Sequence, residues 1–95
     1  MSLKLIGELD LATAWMLEER LQRLKQDKVT VRLDLSELRF MDSTGLHLLI
    51  RAVQDSRRDG WQFEVDHDVS VPVRRLLRAV NVEGFLLGEQ TGDSP

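Results

Sequence analysis

Val29-Thr30-Val31-Arg32-Leu33-Asp34-Leu35-Ser36 leads through Glu37-Leu38-Arg39-Phe40-Met41 into Asp42-Ser43-Thr44-Gly45-Leu46, and from there into a long run ending near Arg58. Val29, Val31, Leu33 and Leu35 alternate with Thr30, Arg32 and Asp34, the period of a strand with one buried face. After Leu46 the period changes. Leu46, Leu49, Ile50 and Val53 recur at i, i+3, i+4 and i+7 and predict one apolar stripe of a helix. Between strand and helix stand Asp42, Ser43 and Thr44, whose short side-chain oxygens suit the free N–H groups of a helix start. Ser43 is therefore expected at, or one residue from, the N-cap. There the positive end of the helix dipole would tolerate an added phosphate.

Outward from this unit the chain keeps alternating. Leu3 to Glu8 reads as a short strand ended by Gly7, with Leu3 and Leu5 on one face. Asp10 or Thr13 is expected to cap a helix running to about Gln26, with Ala14, Leu17, Leu21 and Leu24 inward and Trp15 partly exposed. Asp59-Gly60 closes the central helix. Trp61, Phe63 and Val65 alternate as a third strand, and Val69 to Val80 reads as a helix that tolerates Pro72 in its first turn. Phe85 to Leu87 fits a short strand or a packed C-terminal segment. Residues 1–87 then form one domain and residues 88–95 a flexible tail.

Strands alternating with helices imply an α/β fold with mostly parallel pairing. Parallel strands covered on both faces read as continuous apolar runs, yet the second and third strands alternate. The helices are therefore expected on one face of a small βα superhelix, leaving the face of Arg32, Asp34, Gln62 and Glu64 open.

Composition excludes several classes of function. A hydrophobic share of 42% and a charged share of 31% are those of a globular domain. With 0 cysteines, disulfides and thiolate metal sites are excluded. A net charge of −3 argues against direct nucleic-acid binding. No apolar run is long enough for membrane insertion and no signal peptide opens the chain, so a cytoplasmic protein is expected.

Ser43 is the one nucleophile with a setting, but His47 would stand beside it on the same helix with no orienting third group, and no nucleophile elbow surrounds it. There is no phosphate-binding glycine loop and no paired metal-binding histidines. His67, between Asp66 and Asp68, reads as an exposed loop residue. No enzymatic activity, cofactor or metal is expected. On the helical wheel Thr44, His47, Leu48, Arg51 and Asp55 point outward, which makes Leu48 an exposed apolar anchor for a partner. Gly45, costly in a first helical turn, would let another backbone or a nucleotide-bearing partner approach closely.

Leu33-Asp34-Leu35-Ser36 followed by Phe40 to Leu46, with Gly7-Glu8-Leu9-Asp10 before the first helix, resembles the signature of STAS domains, specifically bacterial anti-sigma factor antagonists. The similarity extends over about residues 3 to 87. It implies a four- or five-stranded, parallel or mixed sheet with helices on one side. It also implies a phosphoswitch, in which the unmodified protein binds an anti-sigma factor that is often a GHKL-type serine kinase. Phosphorylation of Ser43 would release it, and a PP2C-like phosphatase would restore it. The partner-binding residues so implied are Asp42, Ser43, Thr44, Gly45, His47, Leu48 and Arg51. Two features depart from the pattern. The family's first strand is absent or reduced at Met1-Ser2, and His47 and Leu48 stand where many members carry small or aliphatic residues. The same pattern also resembles STAS subunits that pack on the cytoplasmic ATPase of a lipid transporter, where Ser43 or Thr44 would merely cap.

Overall fold

The computed structural model describes residues 1–88. The elements follow in the order β1 (Ser2–Leu9), α1 (Ala14–Gln26), β2 (Val31–Met41), α2 (Ser43–Asp59), β3 (Phe63–Val65), α3 (Val71–Ala79) and α4 (Glu83–Leu87). Both strand pairings are parallel, in the order β1-β2-β3. The α/β alternation holds, with three strands among the described residues where four or five were expected. Phe85 to Leu87, left open between strand and packed segment, belong to α4, and Leu86 and Leu87 are buried there. Of the tail expected over residues 88–95, only Gly88 lies within the described residues, and it caps α4 with φ +69°.

β1 continues through Gly7 to Leu9 instead of ending there, and β2 runs six residues beyond Leu35, to Met41. β2 is the longer strand because it holds two register shifts against β1, between Lys4 and Ile6 and between Gly7 and Glu8. The Ser36 N–H donates to Asp34 Oδ1 at 2.8 Å beside the first shift, so this pair shapes a bulge. The Ser36 side chain and then its N–H hold the Asp34 carboxyl below its ordinary pKa. Bulges bend a strand and break its strict alternation, which hides the Glu37–Met41 half from a period-2 reading.

One face of the sheet is core. Val31, Leu33 and Leu35 of β2, Phe63 and Val65 of β3 and Leu9 of β1 are buried under the helices. The opposite face carries exposed Arg32, Gln62 and Glu64 and half-buried Asp34. It is a surface of cross-strand ion pairs, with Arg32 on Glu64 at 2.6 Å, Lys4 on Glu37 at 2.9 Å and Arg39 on Glu8 at 3.3 Å. Pairs this exposed contribute little stability. What they do is mark the face as solvated, as the alternation predicts.

Candidate functional site

The two sequence signatures, Gly7–Asp10 and Asp42–Leu46, meet at the C-terminal edge of the sheet. Leu9 ends β1 and Met41 ends β2, and the two are register partners. The Asp42 N–H then donates to the Leu9 carbonyl at 3.2 Å. Asp42 is the N-cap of α2, with extended backbone and a carboxylate that bridges both motifs. Its Oδ1 accepts from the Gly45 N–H at 3.1 Å, and its Oδ2 accepts from the Leu11 N–H at 3.1 Å. A carboxylate at this position satisfies an orphan donor of the first turn and opposes the helix dipole.

The segment before α1 is held by side-chain bonds of its own. Asp10 Oδ1 accepts from the Ala12 N–H at 3.0 Å and the Thr13 N–H at 3.2 Å, while Thr13 Oγ1 accepts from the Asp10 N–H at 2.9 Å. These bonds close the turn that leads into α1; the cap expected of Asp10 or Thr13 is not formed, since neither side chain accepts from an N–H of the helix itself. Since β1, β2 and β3 are parallel, the helices that return between them are parallel to each other. The first turns of α1 and α2 therefore share one edge of the molecule.

With Asp42 capping, the Ser43 hydroxyl is left over. Ser43 is the first residue of α2, exposed, and its Oγ has no hydrogen-bond partner among the described residues. Thr44 is half-buried. His47 and Arg51 are exposed one and two turns further on, and Arg51 reaches Glu18 of α1 at 4.0 Å. Two of the expected partner residues are not on this surface.

Leu48 is only 5% exposed and belongs to the core. The buried arc of α2 is Gly45, Leu46, Leu48, Leu49, Ala52, Val53 and Ser56, while Ile50, expected inward, is half-buried. The helix is turned toward the small residues. A wheel weighted by large aliphatic residues misplaces such an arc, because Gly45, Ala52 and Ser56 mark close approach but score weakly as apolar. α2 also contacts α1, β2, β3 and α4, so its buried face is wider than one stripe.

Gly45 is buried as well, and its use is internal. A Cβ at this position would lie 2.6 Å from the Leu9 carbonyl oxygen and 2.7 Å from Leu9 Cγ. The backbone that approaches Gly45 is the chain's own β1 end, so no partner is needed to explain the glycine.

In exchange, two residues outside the expected set join the exposed edge. Leu11, 76% exposed, is tied to Asp42 through its own N–H, and Trp15, 60% exposed, stands in the first turn of α1. Trp15 already fell off the predicted stripe of α1. Leu11 carried a signal too, an aliphatic residue between a strand end and a helix cap with no place on either buried face.

The family profile described as "Mlab, STAS domain" matches residues 1–88. The chain belongs to the STAS domain family. No curated protein matches it. STAS domains act as regulatory or binding modules through protein–protein interaction. No helix among the described residues is long and apolar enough to cross a membrane.

Proposed function

We propose that this chain is an anti-sigma factor antagonist-like binding module, cytoplasmic and without catalytic activity of its own, whose partner is released by phosphorylation of Ser43. The partner class carried over from the family resemblance is an anti-sigma factor that is itself a GHKL-type serine kinase, with a PP2C-like phosphatase reversing the modification. The observation that supports this reading is the division of labour at the start of α2. Asp42 supplies the cap, and the adjacent Ser43 hydroxyl is exposed and unengaged among the described residues. A serine that merely capped would be turned into the first helical turn.

The energetics favour a switch by local exclusion over a switch by refolding. Phosphate adds about −1.5 to −2 charges. The helix dipole favours it by about 0.3–1 kcal/mol, and repulsion from Asp42 acts in the opposite sense. Asp42 is already engaged by the Gly45 and Leu11 N–H groups, so the domain itself responds little. At an interface shaped for a neutral hydroxyl, the same charge is desolvated and unpaired. A cost of about 3 kcal/mol would weaken binding by about a hundredfold.

A second reading is favoured by the exposed apolar pair Leu11 and Trp15, a combination suited to a permanent contact. In it the chain is a STAS subunit packed on the cytoplasmic ATPase of a lipid transporter, using the same edge. One experiment separates the two. Partners are captured from the native host before and after phosphatase treatment, and the captured partner is titrated calorimetrically with Ser43→Ala, Ser43→Asp and phosphorylated protein. The switch requires tight binding by Ser43→Ala, about a hundredfold weaker binding by the charged forms, and unchanged circular dichroism. Equal affinity for all three forms, with a transporter ATPase as the captured partner, would establish the second reading.

A further inference from the structure

Among the described residues β1 is an edge strand, eight residues long, and the other edge of the sheet, β3, has three. Long edges with apolar side chains are templates for pairing unless they are blunted. Ile6 lies in the middle of this edge and is 70% exposed on the open face. The carbonyls of Met1 and Leu9 accept from Arg32 and Asp42, so the odd residues of β1 point their backbone groups at β2. The unbroken exposure alternation of β1 carries this parity along the strand, so Lys4, Ile6 and Glu8 turn theirs to the free edge. Beside that edge, between β1 and α1, runs an open groove of about 360 Å³ bordered by Leu3, Leu5, Leu17 and the exposed Met16.

We infer that β1 pairs antiparallel with β1 of a second copy of this chain about a two-fold axis at Ile6, giving a dimer with a continuous six-stranded sheet. The choice of occupant rests on self-complementarity. With the axis at Ile6, that residue opposes its own copy. Lys4 then opposes Glu8 of the second copy and Glu8 opposes its Lys4, because an antiparallel pair sums to a constant register. Each of these is a position whose N–H and C=O face the partner, as a hydrogen-bonded antiparallel pair requires.

The side chains of all three point to the open face. The two new Lys4–Glu8 contacts join the existing Lys4–Glu37 and Glu8–Arg39 pairs into one alternating ladder of charge across the junction. On the inner face Leu5 opposes Gly7, which has φ +97° and no side chain to exclude it, and half-buried Leu3 opposes Leu9, whose side chain is already covered by its own core. The paired strands run in opposite directions, so the two Asp42–Ser43 edges face opposite ends of the assembly and stay accessible. The dimer is therefore compatible with either functional reading and depends on neither.

Sedimentation equilibrium of the full chain tests the pairing. Wild type is expected to dimerise. Lys4→Glu alone and Glu8→Lys alone each place like charges opposite one another twice, and each is expected to raise the dimer dissociation constant at least tenfold. An equimolar mixture of the two single variants restores both opposite-charge pairs and is expected to form heterodimers visible by native mass spectrometry. Ile6→Pro removes an N–H that faces only the free edge, so it is expected to abolish the dimer and leave circular dichroism unchanged. A wild type that stays monomeric at millimolar concentration overturns the proposal. So does a dimer that is indifferent to these substitutions, or a mixture with no heterodimer.

Discussion

The two ends of α2 are held by different kinds of contact. At the N-terminus Asp42 joins two segments through a carboxylate and a backbone N–H, and Gly45 lets β1 pack against the helix backbone. At the C-terminus the holding groups lie at the surface. Gly60 closes the helix with φ +75°, Lys25 reaches Asp59 at 2.6 Å, and Arg58 spans Asp55 at 2.5 Å and Asp59 at 3.2 Å. Close packing transmits strain and exposed ion pairs do not. The end where Ser43 is exposed is tied to β1 by backbone and carboxylate bonds, which suits a surface whose response to modification is exclusion of a partner.

The largest expected effect is at Leu48, in the core beneath the N-terminal half of α2. Leu48→Ala is expected to lower unfolding free energy by about 2–5 kcal/mol in chemical denaturation. The outward position read from the wheel would have left stability unchanged, so an unaltered denaturation midpoint would mean that α2 is turned the other way. Next comes Gly45→Ala. Alanine gains up to about 1 kcal/mol in helix propensity, but overpacking against Leu9 costs about 1–3 kcal/mol, and the net is expected to be destabilising. A more stable Gly45→Ala protein would show that β1 and α2 are not in contact there.

Asp42→Ala is expected to cost about 0.5–2 kcal/mol through the lost cap. It should also speed amide exchange at both Gly45 and Leu11, whereas Asp42→Asn should retain most of the cap. Exchange that rises at Gly45 alone would separate the two motifs that the carboxylate joins.

The smallest effect belongs to the other end of the helix. The hydrogen bond from Lys25, and then that from Arg58, hold the Asp59 carboxyl below its ordinary value of 3.8. A carboxyl lowered by folding stabilises the fold above its unfolded pKa, and this contribution is lost as pH falls through the folded value. Wild-type and Asp59→Asn melting temperatures should therefore differ slightly near neutrality and converge as pH drops below 3.8. A difference that persists in acid would assign the role of Asp59 to packing instead of charge.

Much of this molecule is written in short-range patterns. Alternation at Val31, Leu33 and Leu35 against Arg32 and Asp34 determined a strand with one buried face, and with it the one-sided cover of helices. Asp42 announced the start of α2, and Asp10 and Thr13 the turn before α1, because such bonds join residues two or three apart and need nothing distant. Ser43 at the start of α2 was legible for the same reason. That Ser43 is spared from capping was not legible, since Asp42, Ser43 and Thr44 carry equivalent oxygens and only the backbone path selects one.

The phase of α2 depended on tertiary structure. How a helix is turned depends on the sum of its neighbours, and α2 is enclosed by α1, the sheet and α4 together. Leu48 is more deeply buried than Ile50, which packs at the margin of the core, and small residues took the closest contacts. The reason for Gly45 lies 36 positions away along the chain, at Leu9, across a helix and a strand. Sequence periodicity reports which residues prefer to leave water. Which of them meet is decided by packing, where the position of one carbonyl oxygen against one missing Cβ sets the answer.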